Sequence, residues 1–105
     1  MGRIVIMQHG ATYQMGLSDA VAKAMNSVIV EHFAQGKGVA IEGLRGGDAE
    51  NDQPKVPEGH TLTLWVGPHA HVSFTHHAEV DEEQYSQMVA RMTETLQKDN
   101  RIHLR

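Results

Sequence analysis

The stretch His60-Thr-Leu-Thr-Leu-Trp-Val66, followed by Gly67-Pro68-His69 and then Ala70-His-Val-Ser-Phe-Thr75, alternates apolar and polar residues on both sides of a Gly-Pro pair. Alternation of period two marks strands with one buried face, because successive Cβ atoms leave a strand on opposite sides. Gly67-Pro68 stands where a turn would reverse the chain, so the two runs predict a hairpin. Leu62, Leu64 and Val66 on the first strand, and Val72 and Phe74 on the second, then face a core. Thr61, Thr63 and Trp65 fall on the opposite face, together with His69, His71, Ser73 and Thr75. A tryptophan exposed in a polar strip on a rigid sheet suits binding, because a partner can bury a large ring at small entropic cost. Thr63, Trp65, His69, His71 and Ser73 are therefore the candidate binding residues.

Upstream, Arg3 to His9 reads as a strand and Ala11 to Met15 alternates, with His9-Gly10 as a two-residue turn between them. Ser18 can cap a helix starting near Asp19, whose carboxylate suits the positive end of the helix dipole. Val21, Ala24, Met25, Val28, Ile29 and His32 recur at helical spacing before Gly36 ends the helix. Lys37 to Glu42 reads as a third strand. The stretch from Gly43 to Gly59 is rich in glycine, proline and charge and predicts a mobile surface loop at about 44–59.

Downstream, Asp81 with Gln84 three positions later resembles a capping box, and Tyr85, Met88, Val89, Met92 and Leu96 share one helical face. Ile102 to Leu104 is long enough only for a short edge strand. The order ββαβββα predicts one α+β domain over residues 1–105. Its expected form is a mostly antiparallel sheet of about five strands with two helices packed on one face.

The 105 residues carry 9 Lys plus Arg against 13 Asp plus Glu, a formal charge of −4. That balance lacks the basic footprint of a phosphate-backbone binder, so nucleic acid is not an expected partner. Eight histidines could carry the formal charge from −4 to +4 in acid. Surface histidines do this without any sensing role. The absence of cysteine excludes disulfides, thiolate zinc sites, thiol nucleophiles and iron–sulfur clusters. No run approaches a membrane span of about 18 apolar residues, and the N-terminal apolar run is too short for a signal peptide. The expected compartment is the cytoplasm.

Met1-Gly2, an N-terminal strand pair, the helix Leu17-Ser-Asp-Ala-Val-Ala-Lys-Ala-Met-Asn-Ser-Val-Ile-Val30, the stretch Leu64-Trp-Val-Gly-Pro68 and a C-terminal helix occur in that order. This arrangement resembles small actinobacterial proteins, some of which carry an automatic "ATP-dependent DNA ligase" label. The resemblance implies a shared fold and brings no activity with it. Ligase chemistry requires a nucleophilic lysine in a Lys-x-Asp-Gly setting. The four lysines read Lys23-Ala-Met-Asn, Lys37-Gly-Val-Ala, Lys55-Val-Pro-Glu and Lys98-Asp-Asn-Arg, and none matches.

Other constellations have structural explanations. His69 and His71 could supply two metal ligands from one strand face, with His60 or His76 completing a site. No third ligand or carboxylate is evident in the pattern, so neither metal nor cofactor is expected. Gly36-Lys37-Gly38 and Leu44-Arg-Gly-Gly-Asp48 lack the spacing of a phosphate-cradling loop. Ser18 has no Gly-x-Ser-x-Gly elbow, and the acidic run Glu79-Val-Asp-Glu-Glu83 matches an ordinary helix start.

The composite expectation is a non-enzymatic protein-binding module, a small regulator or inhibitor, that uses the outer sheet face around Trp65 or an exposed sheet edge. Its partner would be another protein or a second copy of the chain. The alternative is a small-ligand or nucleotide-binding protein with a pocket made by Trp65, His69 and His71, at a dimer interface.

Overall fold

The computed structural model describes residues 2–8, 10–44, 59 and 62–103. The loop expected at about 44–59 lies almost wholly outside them, as do His60, Thr61 and Leu104. The chain begins with an antiparallel hairpin of β1 (Gly2–Gln8) and β2 (Ala11–Leu17), in which Ile4 lies opposite Met15 and Ile6 opposite Tyr13. Helix α1 (Asp19–Ala34) follows, its first turn capped by Ser18 Oγ, which accepts from the Val21 N–H at 3.3 Å. Gly36, at φ +75°, ends it in the left-handed conformation that a side chain would resist. Then come β3 (Val39–Leu44), β4 (Leu62–Val66), β5 (His71–Thr75), helix α2 (Glu82–Asp99) and β6 (Arg101–His103).

The α+β class holds, with the strands divided between two three-stranded sheets. Sheet A has the order β2-β1-β5 and sheet B the order β4-β3-β6. The β3–β6 pair is parallel, and the other ladders are antiparallel. The hairpin expected across Gly67-Pro68 is therefore replaced by a crossover from one sheet to the other. A turn does form there, closed by the Ala70 N–H donating to the Gly67 carbonyl at 3.1 Å. Its two flanking strands pair elsewhere: Val66 and Leu64 with Val39 and Ile41, Phe74 and Val72 with Ile4 and Ile6. These partners, Ile4, Ile6, Val39 and Ile41, lie on the central strands and are fully or almost fully buried, so pairing beside them adds to the apolar surface removed from water.

The inner faces of both sheets meet in one core, where Ile4, Ile6, Tyr13 and Leu17 from sheet A join Val39, Ile41, Val66 and Ile102 from sheet B. Met25, Val28 and Ile29 of α1, and Met92 and Leu96 of α2, complete it. α1 lies against β1 and β5, whereas α2 lies against α1 and β6. The approach of α1 to β1 depends on Gly2. A Cβ there would come 2.7 Å from the Ala22 Cβ and 2.8 Å from the Thr75 carbonyl oxygen.

Asn100 joins several elements where α2 ends. It adopts the left-handed conformation at φ 59°, and its N–H donates to the Leu96 carbonyl at 3.0 Å. Its own carbonyl accepts the Ala40 N–H at 2.9 Å, and its Oδ1 lies 3.0 Å from His32 Nε2 on α1. The chain consequently leaves α2 already aligned beside β3. Among the described residues, no helix is long and apolar enough to cross a membrane.

Candidate functional site

Cross-strand partners project to the same side of a sheet, so the register identifies what stands on each outer face. In sheet B, Ala40 on the central strand is opposite Trp65 on β4 and Arg101 on β6. Trp65 is 59% exposed, and the Arg101 guanidinium lies over its ring, 5.8 Å from the centroid. The small methyl of Ala40 lets side chains from the two edge strands reach each other across the middle one. Such a cation–π contact contributes about 0.5–1 kcal/mol at an exposed site.

One row along, Glu42 of β3 is opposite His103 of β6. The Glu42 carboxylate accepts from Arg101 Nη1 through Oε1 and meets His103 Nδ1 at 2.9 Å through Oε2. Asp99 Oδ2 stands 4.0 Å from Arg101 Nε. Individually, partly exposed pairs of this kind contribute little stability. Their structural effect is to hold the Arg101 side chain in place, so Trp65 is an exposed ring backed by a fixed cation. Thr63, two residues before Trp65, is also exposed.

The outer face of sheet A has a different character. Its rows read Gly16–Arg3–Thr75, Gln14–Val5–Ser73 and Thr12–Met7–His71 across β2, β1 and β5. Arg3 Nη1 donates to Gln14 Oε1 at 3.1 Å, while Met7 is 51% exposed at the centre of the last row. Beside that row lies a cleft of about 500 Å³, whose lining includes Met7, Gln8, Thr12, Pro68, His69 and His71. Gln8 closes the end of this region. Its Nε2 donates to the Trp65 carbonyl at 2.7 Å, and its Oε1 accepts the Gly67 N–H at 3.3 Å.

The structure accordingly divides the candidate binding residues between two surfaces. Thr63 and Trp65 stand on sheet B, His71 and Ser73 on sheet A, and His69 in the turn between them. The single face expected around Trp65 does not form, because β4 and β5 belong to different sheets. His69 and His71 do meet in one cleft, and Trp65 is not among its lining residues.

No family model, curated protein or solved structure matches the chain.

Its sites are therefore read from their own chemistry. Sequence reasoning missed Arg101, which lies over the Trp65 ring, and Glu42 and His103, which belong to the polar cluster around that guanidinium. Alternation would have placed Ala40 and Glu42 on one strand face, but no local signal announces the parallel β3–β6 pairing that supplies the other two. Met7 and Thr12 were also missed, although the run Ile4-Val-Ile-Met7 already puts Met7 on the face opposite Ile4 and Ile6. Among the described residues, no group of three His, Cys, Asp or Glu is placed to hold a metal ion, and His60 lies outside those residues. His76 Nδ1 lies 2.8 Å from the His77 carbonyl, and the His77 main-chain N–H donates to Asp19 Oδ1 at the start of α1 at 3.0 Å.

Proposed function

We propose that the chain is a non-enzymatic protein-binding module, a small cytoplasmic regulator or inhibitor, that engages its partner through the outer face of sheet B. The observation that carries this reading is Trp65, exposed at 59% and backed by a guanidinium that Glu42 holds in place. Tryptophan and arginine are the side chains most often found at the energetic centres of protein interfaces. A ring already oriented on a sheet loses little conformational freedom when it is covered. The first partner is a second copy of the chain, because a two-fold contact lets the same patch serve on both sides. The lysines and serines outside any nucleotidyl-transfer or hydrolase motif support the non-enzymatic part of the reading.

Sedimentation of the wild type beside Trp65→Ala and Thr63→Arg tests the proposal. The expected result is a wild-type dimer and two monomeric variants whose unfolding temperatures stay close to the wild-type value. A monomeric wild type would overturn self-association. Variants that remain dimeric would overturn the assignment of the face, as would a Trp65→Ala stability loss of about 3–5 kcal/mol, the cost of truncating a buried aromatic residue.

Small-ligand binding is the second reading, and the cleft lined by His69 and His71 favours it. The ligand would meet imidazole, thioether and hydroxyl groups there, without the indole that the sequence had suggested.

A further inference from the structure

We infer that Met7, His69 and His71 form a binding site for monovalent copper. Met7 and His71 are direct cross-strand partners on β1 and β5, so their side chains leave the same face of sheet A side by side. His69 lines the same cleft from the turn that precedes β5. The three side chains offer one thioether sulfur and two imidazoles. Thioether donors favour soft Cu(I), and imidazole also binds copper, so this mixed set selects the cuprous ion over hard cations.

Three sets of hydrogen bonds hold the donors together. The β1–β5 ladder fixes Met7 against His71. The Ala70 N–H to Gly67 carbonyl bond, at 3.1 Å, closes the turn that carries His69. Gln8, adjacent to Met7, accepts the Gly67 N–H at 3.3 Å and donates to the Trp65 carbonyl at 2.7 Å, tying the end of β1 to the start of that turn. Donors mounted on a braced scaffold lose less freedom on binding an ion. Gln8 is in this sense a positioning residue. Methionine is ordinarily buried, yet Met7 projects 51% exposed beside two imidazoles. The ion brings no change of oxidation state, and the site requires none.

The test is an anaerobic titration of Cu(I) into the full chain against the chromogenic chelator bicinchoninate, with sulfur and nitrogen neighbours read by X-ray absorption. The expected result is one Cu(I) per chain with a sulfur scatterer. Met7→Leu preserves volume and should weaken Cu(I) at least about tenfold while leaving Zn(II) affinity unchanged. His69→Ala and His71→Ala should each weaken both ions. His76→Asn and His77→Asn should weaken neither. Circular dichroism of each variant reports that the fold persists. Gln8→Ala should lower Cu(I) affinity while retaining the sulfur signal, as expected for a residue that acts through its neighbours. Cu(I) affinity unchanged by Met7→Leu, or absorption spectra without sulfur, would overturn the site. A loss traced to His76 or His77 would show an adventitious ion only.

Discussion

Gln8, the last residue of β1, donates its side-chain N–H to the main-chain carbonyl of Trp65 at 2.7 Å, fastening the central strand of sheet A to an edge strand of sheet B. Because its oxygen also accepts from Gly67 at 3.3 Å, the side-chain amide behaves like one more peptide group between the sheets. Gln8→Leu removes both bonds and leaves the two backbone groups to find other partners. The expected cost is about 1–2 kcal/mol. Differential scanning calorimetry should record this as a fall of several degrees in Tm. An unchanged Tm would mean that the clamp contributes nothing to holding the sheets together.

Gly2 sets the distance between β1 and α1, since a Cβ would lie 2.7 Å from that of Ala22 and 2.8 Å from the Thr75 carbonyl oxygen. Both obstacles belong to regular elements. Gly2→Ala must therefore shift the helix or the strand, and overpacking of this kind costs about 1–3 kcal/mol. Gly67→Ala provides the contrast, because a Cβ there meets nothing within 4 Å. Urea unfolding should show a lower midpoint for the first variant and little change for the second.

Asp19 accepts the His77 N–H at 3.0 Å, and this bond holds its carboxyl below the ordinary carboxylate value. A carboxyl that is more acidic in the folded chain stabilises it above its unfolded pKa, and that contribution is lost as pH falls through the folded value. The wild type should lose stability faster than Asp19→Asn on acidification below about pH 4, the ordinary Asp range. Thermal unfolding of both chains across that range checks the sign. Parallel curves would disprove it.

Asn100 combines a left-handed backbone at φ 59° with a side chain 3.0 Å from His32. Asn100→Gly keeps the conformation and loses the side-chain contact. Asn100→Ala loses the contact and keeps a Cβ in the left-handed region without the polar side chain that lets asparagine adopt it, which places it about 1–2 kcal/mol below glycine. Alanine is expected to be the least stable of the three chains. Chemical denaturation of all three checks this ranking.

The elements were legible because their causes are local. Ser18 and Gly36 bracket α1, Asp81 caps α2, and alternation predicted inward-facing Leu64, Val66, Val72 and Phe74. Pairing was not legible at the central turn. Gly67-Pro68 has the same local chemistry whether the strands around it join each other or separate, and the outcome is decided by Ile4, Ile6, Val39 and Ile41 far away in the chain. The candidate site inherited that ambiguity. Trp65 and His71 were read on one face because both alternate outward, yet alternation fixes a side within a sheet and cannot tell which sheet the strand joins. Arg101 was invisible as a partner of Trp65 for the same reason.

Each central strand takes one neighbour from far along the chain: Arg3 pairs with Thr75, and Ala40 with Arg101. The β1–β2 hairpin and α1 can gather early from nearby residues, whereas either sheet is complete only after a long loop has closed. Such remote pairings slow folding relative to a helical bundle of the same size, because ordering precedes the contacts that repay it. The platform beneath Trp65 is thus complete only once β6 has joined β3, since Arg101 and His103 lie on that remote strand.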